Sequence, residues 1–291
     1  MLNFCPRNSW KPRHQSVKKS IGEEINEDLV KLNKNPFPHR ASCLSVSGGL
    51  LLLALAPWSS RVHAGCEEPP ARRVNWLRCD KSGADLRGVD LREAVLNQAN
   101  LSHAQLAGAR LGSADLGGAI LSGADFTGAT LTDARLVSAQ LEQTVFTGAN
   151  LAGARLDRGL LTGANLSEAD LTGARLYQAD LHGANLAGAK LTKANLAQAN
   201  LTGAQLPNAD LSGAVLSRAV LEDAVLTGAN LPGAKLDGAS LLNANCTGAN
   251  LSSATLADAR IDGARFTAAK LDSTIWPDRR RCQPGSVGEC R

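Results

Sequence analysis

From Leu86 to Trp276 the chain returns to an apolar residue at every fifth position, without one insertion or deletion. Of the 39 positions in this register Leu fills 33, and Phe126, Phe146, Phe266, Cys246, Ile261 and Trp276 fill the rest. Two residues before each centre, Ala stands at 35 of the 39 positions. A period of five suits neither common element. On an α-helix five residues advance ~500°, so successive Leu step ~140° around the axis and cover every face. On a flat strand an odd spacing sends successive Leu to opposite faces. A backbone that turns a corner every five residues instead brings each Leu back toward one axis. Such a chain winds into coils, and the coils stack as a solenoid.

The corners are legible in the spacers. Gly occupies the second spacer residue in 18 of 38 cases, among them Gly108, Gly148 and Gly233. Gly there permits the positive φ of a type II turn. Pro207 and Pro232 fall at the first turn position, where a fixed φ is suited. Spacers with Asp133 or Asn208 at the second position are expected to form type I turns instead. Aromatics are only 3% of the chain, with one Met and one Tyr. A narrow interior of Leu and Ala has little room for rings.

Segments such as Ala149-Asn150-Leu151-Ala152-Gly153 and Ala169-Asp170-Leu171-Thr172-Gly173 resemble the Ala-(Asp/Asn)-Leu-X-X motif of the pentapeptide-repeat family. The resemblance implies an all-β fold: a right-handed quadrilateral β-helix with four pentapeptides per coil and about ten coils over residues 84–276. Phe126, Phe146, Cys246 and Phe266 share one column at a 20-residue spacing, in agreement. Leu86, Phe126, Phe146, Leu186, Phe266 and Trp276 are expected to line the core.

The ends read differently. Residues 1–40 are polar and basic without a period, and are taken as an N-terminal extension or a mis-assigned start. Residues 41–64 carry an apolar run from Leu44 to Trp58, then Val62-His63-Ala64, the layout of a secretory signal cleaved after Ala64. Lipidation at Cys66 and a membrane tether through residues 44–58 are the other readings of this segment. Residues 65–83 are expected to form an N-terminal cap and 277–291 a C-terminal one. Lys81 interrupts the apolar register between Val74, Trp76 and the first Leu. Cys66 with Cys79, and Cys282 with Cys290, form a close pair at each end and read as disulfides, which fits export. The alternative is four free thiols in a reducing compartment. Trp76 and Trp276 read as lids over the end coils.

Charge separates two functions. Residues 1–64 hold 9 Lys/Arg and 4 Asp/Glu, whereas 85–276 hold 14 and 18, a net of −4. Some pentapeptide-repeat proteins imitate a DNA duplex and bind DNA gyrase. A net of −4 over such a span is thin beside a duplex with one charge per ~1.7 Å. A cytoplasmic regulator of gyrase or another topoisomerase is therefore the alternative reading. Arg135, Arg155 and Arg175 fall in one column and offer a basic contact surface or a solvated charge row. Val215, Val220 and Val225 are outward apolar residues and the other candidate contact patch, on three faces of one coil. No catalytic constellation, cofactor motif or metal site is found, and His103 and His182 fall in different columns. The expectation is a non-enzymatic, exported scaffold that binds another protein or itself, in the periplasm or outside the cell. No small-molecule substrate is expected, nor any nucleic acid, and the membrane is met only through the signal segment.

Overall fold

A computed structural model describes residues 65–291. The expected extension at 1–40 and the signal-like segment at 41–64 lie outside the described residues. Within them, one outward residue per pentapeptide pairs in parallel with the residue 20 positions on, from Asn75 with Val95 to Thr255 with Ile275. Four pentapeptides therefore complete one circuit, and the tube has four sides. Each side is one paired residue wide, so the sheet consists of isolated bridges rather than extended strands.

The motif follows from where five backbone N–H groups must go. Around Leu171, Leu171 N donates to Lys190 O at 2.7 Å and Gly173 N to Thr192 O at 2.9 Å, both in the next coil. Asp170 N donates to Ala149 O in the preceding coil, and Ala174 N closes the turn onto Leu171 O. Only Thr172 N is left, and the Asp170 side chain takes it, with Oδ1 accepting at 2.9 Å. Asn150, Asn185 and Asn200 hold the equivalent N–H of Ala152, Ala187 and Thr202 in the same way. Asn or Asp before the central Leu is thus a turn cap. Where two stack, the amide also bridges coils, as in Asn185 Nδ2 to Asn165 Oδ1 at 3.2 Å and Asn250 Nδ2 to Asn230 Oδ1 at 3.0 Å.

The central and Ala positions form one continuous core, buried along the tube and only partly so near its ends, where Ala84, Val89, Ile261, Ala264 and the expected core residue Trp276 pack against it half-buried. Leu186, Phe126 and Phe146 are fully buried, and Leu86 and Phe266 nearly so. The Phe126 and Phe146 rings stack with centroids 5.0 Å apart, as neighbours in one column should. Two Thr replace Ala and satisfy their hydroxyls inward: Thr144 Oγ1 donates to Leu121 O and Thr274 Oγ1 to Leu251 O.

Two expectations are corrected. Asp133 and Asn208 do not form type I turns: their φ values are 55° and 56°, the same left-handed conformation as Gly148 at 62°. The cause is the inter-coil ladder. Asp133 N must reach Ala152 O, as Gly148 N reaches Ser167 O, and only one corner geometry keeps both registers. Nor does Lys81 interrupt the winding. The ladder already runs from Asn75, and Asp80 pairs with Asn100 across this position. Lys81 occupies a central place of the register half-buried, with its ammonium on Cys66 O at 2.5 Å and over the buried Trp76 ring at 4.4 Å.

Both ends are closed. Trp76 is fully buried and donates from Nε1 to Glu68 O. The Cys66–Cys79 disulfide holds this segment to the first circuit, with Cα atoms 5.4 Å apart. At the other end the chain reverses, so that Lys270 pairs with Val287 and Ile275 with Arg281 in antiparallel fashion. The Cys282–Cys290 disulfide ties this flap, and Trp276 packs edge-on to Phe266 at 5.2 Å.

Candidate binding surface

The outward side chains form four columns, one per side. One column runs Asn75, Val95, Asp115, Arg135, Arg155, Arg175, Asn195, Val215, Lys235, with each residue bridged to the next. The structure thus brings the three arginines together, and Lys235 lies farther along the same row. They are not equivalent. Arg135 pairs with Asp115 at 3.6 Å, as a surface ion pair of little energetic consequence. Arg155 and Arg175 turn instead toward Asp157, with Nε atoms 3.8 and 3.5 Å from its carboxylate oxygens.

In the sequence Asp157 is indistinguishable from exposed acids such as Asp262, which share its type and turn position. Here the side chain is only 10% exposed, because the Arg155 and Arg175 side chains lie against it. With Val137, Arg158 and Tyr177 these residues line a pocket of about 330 Å³ at one corner of the tube. The Tyr177 hydroxyl is 3.3 Å from Gln198 Oε1.

Val215, Val220 and Val225 are not brought together. Val215 is flanked in its column by Asn195 and Lys235, Val220 by Asn200 and Ser240, and Val225 by Gln205 and Asn245. Each is half-buried among polar neighbours, so they form no continuous apolar patch.

Chemistry at other positions is structural. Burial pushes the Cys246 thiol up to about 12, so this buried free cysteine is held as a neutral hydrophobe. Arg87 holds the exposed Asp85 carboxyl down to about 2, and Arg92 holds Asp90 well below the usual carboxylate range. Among the described residues no group of His, Cys, Asp and Glu is placed to hold a metal ion.

Comparison with known proteins agrees with this geometry. The family profile described as pentapeptide repeats matches in eight copies, over residues 82–117, 109–148, 145–183, 179–218, 204–243 and 243–272. None of the curated proteins matches the chain. Among solved structures, HetL, a pentapeptide repeat protein involved in heterocyst differentiation regulation in the cyanobacterium Nostoc sp. strain PCC 7120, is 38% identical. That match covers 69% of this chain and 86% of HetL, with a TM-score of 0.29. QnrB1, a plasmid-mediated fluoroquinolone resistance protein, is 21% identical over 53% of this chain and 89% of its own, with a TM-score of 0.30. A pentapeptide repeat protein of the Arabidopsis thaliana thylakoid lumen is 28% identical over 39% of this chain and 69% of its own, with a TM-score of 0.23. At such TM-scores the kinship rests on the sequence and not on superposition. The unbroken five-residue register, the 20-residue pairing and the span of the profile agree: the chain belongs to the pentapeptide-repeat family.

Proposed function

We propose that this chain is a non-enzymatic, exported scaffold whose rigid sides serve as docking surfaces for another protein or a second copy of itself. In this reading residues 41–64 are a signal segment removed after Ala64, and residues 65–291 are the working protein. The tube is right-handed with about ten coils. The carrying observation is the pair of disulfides, one at each end of the solenoid. Such bonds persist in oxidising compartments and are rare in the cytosol. A scaffold role also fits the side chains. They are spent on turn caps, inter-coil bridges and a core of Leu and Ala, and the columns present fixed rows of polar groups. The gyrase-directed alternative needs a strongly acidic, cytoplasmic rod, and a column with three consecutive arginines argues against it.

Fractionation of cells producing the full chain, with N-terminal sequencing of the product, tests this reading. A soluble product outside the cytoplasm that begins at Gly65 is the expected result. An intact N-terminus on a cytoplasmic protein with reduced Cys66 and Cys282 overturns it.

A further inference from the structure

One corner of the tube departs from the repeat in several ways at once. In the pentapeptide Leu156-Asp157-Arg158-Gly159-Leu160, Gly159 is the one Gly in the Ala register. Leu160 is an exposed large apolar residue. Directly one coil on from Asp157 stands Tyr177, the chain's sole tyrosine. Asp157 itself is the one charged residue buried among the described residues. Neither of its carboxylate oxygens accepts a hydrogen bond.

A buried carboxylate without hydrogen bonds is unfavourable, and the repeat supplies Ser or Thr at many equivalent places without that cost. The arrangement makes sense if a ligand completes it. Arg155, Arg158 and Arg175 line the pocket with a single carboxylate, against which Arg155 and Arg175 lie, so the pocket carries a surplus of two positive charges. A cationic ligand is repelled. A simple anion would pair with the guanidinium groups but leave the Asp157 oxygens unmet. The matching ligand carries a carboxylate for the arginine forks and neutral O–H donors for Asp157. It also needs a flat apolar face, because Tyr177 and Val137 form the remaining walls. A volume of about 330 Å³ lies at the small end of ligand pockets.

We infer that this corner binds one uronic-acid unit of an acidic polysaccharide: ring hydroxyls donate to Asp157, the carboxylate meets Arg155, Arg158 and Arg175, and the sugar ring lies against Tyr177. The inference goes beyond the protein-docking role and is independent of it. Arg135, one rung along the same column, extends a positive track for the next unit of the polymer.

Calorimetric titration of the full chain tests this, with trigalacturonate as the probe. Galacturonate, methyl galactoside, acetate and the peptide Gly-Glu-Gly are the comparisons. Trigalacturonate is expected to bind about tenfold or more tightly than acetate or the neutral glycoside, since each charge-assisted hydrogen bond contributes about that factor. Tyr177→Ala weakens the sugar by a similar factor while the melting temperature holds. Asp157→Asn weakens the sugar but strengthens acetate, because it removes the negative charge while leaving the arginines. A purely structural Asp157 gives the opposite pattern for the sugar, which then tightens together with acetate because the same negative charge is removed. The inference is overturned by no binding of trigalacturonate, by equal binding of acetate or methyl galactoside, or by equal binding of Gly-Glu-Gly, which assigns the pocket to an acidic protein. Galacturonate binding as tightly as the trimer overturns the polymer as the source.

Discussion

At the residue scale the fold is an accounting of backbone groups. Every N–H of the Leu171 repeat has a partner, and the only one supplied by a side chain comes from Asp170. The second turn residue always has positive φ, whatever its identity. Gly148 and Gly112 separate conformation from space. A Cβ on Gly148 would meet nothing, yet its φ is +62°. Gly148→Ala is therefore expected to destabilise by about 1 kcal/mol, from the left-handed backbone alone. Gly112 holds an ordinary φ, and its Cβ would make only van der Waals contact with Thr132 O at 3.8 Å. Gly112→Ala is expected to be neutral or to stabilise by a few tenths to ~1 kcal/mol. Urea melts of both variants check the difference in sign. In the core, Leu186→Ala should cost ~2–5 kcal/mol through lost burial and a residual cavity, and Leu186→Asp more, by burying a charge. Circular dichroism during thermal melting reads both. An unchanged melt for Leu186→Asp would place this residue outside the core.

At the scale of the element, each pentapeptide is a corner with one paired residue, and it gains stability only by stacking on the coils before and after it. The end coils lack one neighbour and use covalent ties instead. The disulfides close short loops, with sequence separations of 13 and 8. Reduction is expected to cost roughly 2–3 kcal/mol per bond in the chain-entropy account. Dithiothreitol should lower the melting temperature and speed amide exchange near Trp76 and Lys270 before it does so near Leu186. Uniform exchange along the tube would contradict a capping role.

The same scale shows what the sequence could reveal. Periodicity alone excludes helix and flat strand, whereas the 20-residue circuit is implied by the family resemblance, with which the shared column of Phe126 and Phe146 agrees. The turn type at Asp133 was misread because local preference was weighed without the inter-coil bond from its N–H. The early start at Asn75 is hidden by Lys81, a charged residue at a central place whose ammonium is matched by Cys66 O and the Trp76 ring, partners that no periodicity reveals. Asp157 is not legible because half of its cover comes from Arg175, one circuit along the tube, and the nearby Arg155 alone does not distinguish it from other turn acids.

For the whole molecule, nearly every tertiary bond in the solenoid joins residues about one circuit apart, so no contact links one end directly to the other. The central claim is that positions 20 apart are neighbours on one side, while positions 10 apart lie on opposite sides of the tube. Paired cysteines test it. Asn150 and Asp170 are bridged partners, and parallel rungs lie ~4.8 Å apart, within the Cα range of a disulfide. The double variant Asn150→Cys/Asp170→Cys should close a disulfide under mild oxidation, read by mass spectrometry of the digested protein. Asn150→Cys/Leu160→Cys should stay open under the same conditions. Crosslinking of the second pair and not the first would contradict the 20-residue circuit and the fold built on it.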